Sequence, residues 1–183
     1  MGWAILLIGL FLFVAGHVFK RLRPADHAAL GEKAKLYATA VLLVALVAMI
    51  FGYQWAGFVP VWSPPSFLVH LNNLLMLLAV YLLFAGKRGV WLASKIRHPM
   101  LTAVKTWAVA HLLVNGDLAS ILLFGGLLAW AVFEVIIINK AEPEWTPPEA
   151  KGAKTEVVYA GAVLIIYIVI GLIHGWLGYW PFG

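Results

Sequence analysis

The chain has 183 residues, of which 63% are hydrophobic and only 11% charged, against about 25% charged in ordinary soluble domains. That composition excludes a soluble domain. It also turns the net charge of +5 from a sign of nucleic-acid binding into a record of membrane orientation, because Lys and Arg gather in a few loops. The absence of cysteine excludes disulfides, thiolate ligands, iron–sulfur clusters and covalent c-type haem, so any metal or haem must be held by nitrogen, oxygen or Met.

The first apolar run, WAILLIGLFLFVAGHVF at 3–19, has no positive region before it, and Lys20, Arg21 and Arg23 follow it. That order predicts a retained membrane span rather than a cleaved signal. Further apolar segments follow at 34–54, 66–86, 99–114, 117–138 and 156–177. Each is judged against the ~20 residues needed to cross the hydrocarbon core, and the fourth is short. The expected architecture is all-α: a polytopic membrane bundle of about six transmembrane helices, forming a single domain over 1–183 with the lipid bilayer as its solvent.

Loop 20–35 carries Lys20, Arg21, Arg23, Lys33 and Lys35; loop 87–98 carries Lys87, Arg88, Lys95 and Arg97; loop 139–155 carries Lys140, Lys151 and Lys154 among three glutamates. Twelve of the thirteen basic residues therefore fall on one side, with Lys105 the exception inside the fourth span. The positive-inside rule makes that side cytoplasmic and places both termini on the opposite, periplasmic side. The outer connection GFVPVWSPPSF suits an interfacial segment, and the Pro-rich EPEWTPPEAKGAK predicts a non-helical linker.

Ionisable groups inside a membrane cost a few kcal/mol each and mark candidate sites. His17 lies near the cytoplasmic end of the first span, Arg97 and His98 open the fourth, and Glu134 is near the cytoplasmic end of the fifth. His70, His111 and His174 lie toward the outer ends of the third, fourth and sixth spans. Neutral imidazole is a common ligand of haem iron, and two histidines on facing helices can hold a haem within an apolar bundle. The alternative is that each histidine hydrogen-bonds a neighbouring helix. His98 and His111 are separated by about 20 Å of helix, so depth favours an outer pair, His70 with His111 or His174. There is no HExxH, no carboxylate cluster and no P-loop to support metal hydrolysis or nucleotide chemistry.

Asn115, Gly116 and Asp117 read first as turn chemistry, with Gly116 left-handed at a helix stop and Asp117 capping the next helix. Asn115 stands four residues after His111 on the same helix face and could orient its ring. Trp107, one turn earlier, could pack against a flat cofactor.

The stretches MGWAILLIGLFLFVAGHVFKRL, HLNNLLMLLA, IRHPMLTAVKTWAVAHLLVNGDLASILLFGG and GLIHGW together resemble the NnrU family. Its members are bacterial integral membrane proteins linked to denitrification and nitric oxide metabolism. The resemblance implies an inner-membrane location and a respiratory or denitrification enzyme as partner. The family is also similar to the membrane domain of cis-zeta-carotene isomerase, which uses haem b. The resemblance to that enzyme implies His17, in FVAGH, and His111, in WAVAH, as haem ligands. Ala108 stands where the isomerase has a Cys. IRHPM is also similar to an element of isoprenylcysteine-type membrane methyltransferases that helps form a cofactor pocket, which would give Arg97 and His98 that role with Glu134 as partner. A haem b protein with a redox, sensing or isomerase-like role, a haem-free methyltransferase-type enzyme and a non-catalytic accessory factor all follow as readings.

Overall fold

The computed structural model describes residues 1–86 and 88–182; Lys87, counted above among the basic loop residues, lies outside them. Among the described residues, seven α-helices and a short 3-10 turn account for the regular structure: α1 (Gly2–Leu22), α2 (Pro24–Ala29), α3 (Lys33–Trp55), α4 (Leu68–Ala85), α5 (Pro99–Val114), α6 (Leu118–Ala141) and α7 (Ala153–Trp176). The 3-10 turn is Leu92–Ser94. Among the described residues there is no β-strand, only an isolated bridge between Pro60 and Asp117. The six expected spans correspond to α1, α3, α4, α5, α6 and α7. Five of these are long and apolar enough to cross a membrane. The exception is α5, whose 16 residues rise about 24 Å against a core of about 30 Å.

Contacts divide the chain into two compact units, residues 1–62 with 116–130, and 63–115 with 131–183. In the first, α1 packs antiparallel on α3. The packing is at backbone distance: a Cβ on Gly9 would stand 2.8 Å from the Met49 nitrogen, and one on Gly52 would collide with the Leu6 backbone. Without a hydrophobic drive between helices in lipid, such small-residue contacts let backbones meet and supply the attraction. Helix α2 was not expected. Pro24 occupies its first position, where a missing N–H costs nothing, and Asp26 in the first turn pairs with Arg23 at 2.6 Å.

Gly116 departs from the expected left-handed stop: it has no positive φ. The chain instead leaves α5 extended at Asn115, with φ −120° and ψ 110°. The Gly116 carbonyl accepts from the Val61 and Trp62 N–H groups at 2.8 and 3.0 Å, and Leu118 N–H donates to the Val59 carbonyl at 2.9 Å. Pairing with the 59–62 segment satisfies the backbone groups that a left-handed cap would otherwise have served. Asp117 does cap α6, accepting from Ser120 N–H at 3.0 Å. The Ser120 hydroxyl also bonds Asp117 Oδ2 at 2.5 Å and Tyr53 OH at 2.8 Å.

In the second unit α4 packs on both α5 and α7. At the basic end, Glu156 of α7 accepts from the Tyr81 hydroxyl of α4 at 3.0 Å and from the Trp91 backbone N–H. The Tyr159 hydroxyl donates to the Tyr81 carbonyl. This ties two helices and a loop through one carboxylate. Residues 142–152 are non-helical, as their prolines predict.

Candidate functional site

The second unit holds a cavity of about 270 Å³ among α4, α5 and α7, walled by Met76, Val80, Val104 and Ile170 and reached by Trp107, His111 and His174. Its histidines come from two helices. Each ring is fixed by its own helix: His111 Nδ1–H donates to the Trp107 carbonyl at 2.9 Å, and His174 Nδ1–H to the Ile170 carbonyl at 2.8 Å. A carbonyl only accepts, so the proton sits on Nδ1 and Nε2 is the basic nitrogen of each ring. That is the arrangement in which a second partner sets the tautomer of a ligating histidine. Trp107 adds a ring contact with His111 at 5.0 Å between centroids.

Asn115 takes a different position from the one its spacing suggested. Its amide donates to the His111 backbone carbonyl at 2.8 Å, so it closes the end of α5, and ring orientation falls to the Trp107 carbonyl. His70 is exposed in the first turn of α4 and does not line the cavity. His17 belongs to the first unit. Its Nδ1–H donates to the Phe13 carbonyl at 2.8 Å, and its ring packs against Phe13 at 4.3 Å and Trp130 at 4.6 Å.

Arg97 and His98 serve the end of α6. The Arg97 guanidinium donates to the carbonyls of Glu142, Pro143 and Glu144, the last two at 3.1 and 3.2 Å, and His98 Nε2–H donates to Asn139 Oδ1 at 2.8 Å. These bonds satisfy carbonyls at and just beyond the helix terminus. Pro99 follows at the first position of α5, as expected.

Sequence reasoning passed over Asn72. It is buried, its amide donates to Asn73 Oδ1 at 3.1 Å, and its own Oδ1 has no partner among the described residues. Asn72 lies one helical turn before Met76, on the α4 face that walls the cavity. The signal available was an Asn pair inside an otherwise apolar run.

Among the described residues there is no group of three or more His, Asp or Glu side chains able to hold a bare metal ion. A haem asks less of the protein, because the macrocycle holds the iron and the chain supplies only axial ligands. Two ring-fixed imidazoles in an apolar slot fit that requirement. The cavity volume lies just under the range of about 300–1,000 Å³ usual for small-molecule sites, so the imidazoles carry the fit and the space does not.

Apolar helices of spanning length, with histidines set between them, define a polytopic α-helical membrane protein. The sequence model of the NnrU family, described as NnrU protein, matches residues 5–181, and the chain belongs to that family. Comparison with curated proteins and with solved structures gives no match.

Proposed function

We propose that this NnrU-family protein binds haem b in the cavity of its second unit, where His111 and His174 would hold it. The observation that carries the reading is the pair of cavity histidines, on different helices, each with Nδ1 committed to a backbone carbonyl. Trp107 packs the ring of His111, and the walls are apolar. A bound haem supplies a one-electron redox centre whose potential the pocket sets.

With both histidines ligating, the role is redox or sensing by redox state, linked to nitrogen-oxide metabolism. Isomerase-like chemistry would require one imidazole to yield to substrate. The basic loops face the cytoplasm of a bacterial inner membrane and both termini face the periplasm, by the distribution of Lys and Arg. A respiratory or denitrification enzyme is the proposed partner. The test is an optical spectrum of the purified protein before and after haem reconstitution. A Soret band that sharpens and shifts on reduction is expected; no band after reconstitution overturns the reading.

A further inference from the structure

A second, larger concavity of about 460 Å³ lies in the same unit, on another face of α4. Leu74, Leu77 and Leu78 of α4 face Ala160, Val163 and Leu164 of α7 across it, and Tyr81, Trp91 and Leu92 close its basic end. Leu74, Leu78, Trp91 and Leu164 are all exposed, so the groove opens outward along its length. An apolar groove that opens at hydrocarbon depth is filled from the bilayer, and its polar end decides by what.

That end is basic. Arg88 lies three residues before Trp91, and at the same end the Tyr159 ring stands 4.9 Å from that of Tyr81. Lys151 N–H donates to the Gly89 carbonyl at 2.8 Å, and its stem lies over Gly89, where an added Cβ would stand 2.6 Å from Lys151 Cγ. Both basic side chains are exposed and neither is ion-paired among the described residues. The nearby carboxylate, Glu156, is occupied on both oxygens by Tyr81 and Trp91. Trp91 and Tyr81 sit where an apolar tail gives way to a headgroup, the usual setting for amphipathic aromatics.

We propose that this groove binds an anionic phospholipid, one acyl chain between α4 and α7 and the phosphate against Arg88 and Lys151. Juxtamembrane basic residues attract anionic headgroups by an amount that, for two side chains, corresponds to a preference of about 30-fold.

The test is native mass spectrometry of the full chain released from micelles containing equal phosphatidylglycerol and phosphatidylcholine. The intact protein should retain one phosphatidylglycerol with about 30-fold preference. Arg88→Gln with Lys151→Gln should reduce that preference to near parity while a lipid is still bound. Ala160→Trp, which fills the groove from an exposed position, should abolish retention, and Leu78→Trp serves the same purpose if that variant does not fold. Equal retention of the two lipids by the unaltered chain, or retention by a folded groove-filling variant, overturns the proposal. The haem spectrum is expected to stay unchanged in all three variants, so this outcome is independent of the haem reading.

Discussion

In the first unit α1 and α3 approach until Gly9 and Gly52 leave no room for a Cβ, and the His17 ring is packed against Phe13 and Trp130. In the second, α5 packs closely on α4 while α7 meets α4 more loosely, leaving a cavity and a groove, and the basic ends of α4 and α7 are joined through Glu156 while Arg97 holds the end of α6. The same helix-rich, charge-poor composition thus gives two kinds of packing. Close contact through glycine leaves no space for a ligand, and bracing at the ends allows space in the middle. The difference explains why histidines with the same Nδ1-to-carbonyl bond are not equivalent: His17 meets aromatic rings, whereas His111 and His174 line a cavity.

The largest test of this contrast is Gly52→Leu, which forces a side chain into the Leu6 backbone. Overpacking against backbone that cannot yield should cost at least about 3 kcal/mol. The loss would be read as reduced resistance to thermal or SDS unfolding by circular dichroism. Gly161→Ala is the matched change in the second unit: nothing lies within 4 Å of its added Cβ, so stability should hold or rise by up to about 1 kcal/mol. Equal losses in the two variants would break the contrast.

Glu156→Ala comes next. It strands the Tyr81 hydroxyl and the Trp91 N–H, and should cost about 2 kcal/mol in the same unfolding measurement. Its absorbance spectrum should stay unchanged, because Glu156 does not line the histidine cavity. The smallest effect belongs to Asp117→Ala, which removes the cap of α6 and the Ser120 partner. A loss of about 1 kcal/mol is expected, and Asp117→Asn should recover roughly half of it because an amide oxygen can still cap.

Apolar length made six helices legible in the sequence, since a span must satisfy its backbone internally whatever its neighbours do. Helix α2 escaped notice because its signals, Pro24 and Asp26, sit inside a basic loop with no apolar periodicity. Gly116 shows a different limit. Its local chemistry suits a left-handed stop, but its carbonyl is taken by Val61 and Trp62, more than fifty residues earlier in the chain, and no local rule sees that. That His111 and His174 lie near the C-terminal ends of their helices was readable from their positions in the spans. Their common cavity was not, because it depends on which faces of α4, α5 and α7 meet. Asn72 is the clearest case: only burial reveals that its oxygen lacks a partner among the described residues. The outer groove, made by helix faces whose leucines look like any lipid-facing surface, had no sequence signal beyond the nearby basic residues.

Whether His111 and His174 hold a haem is read from the reduced-minus-oxidised spectrum of histidine variants reconstituted under identical conditions. His111→Ala and His174→Ala should each lose or grossly alter the Soret band while retaining their helical circular dichroism, and His70→Ala should keep the spectrum of the unaltered protein. An unchanged spectrum in His174→Ala, with the band lost in His17→Ala, would contradict the account.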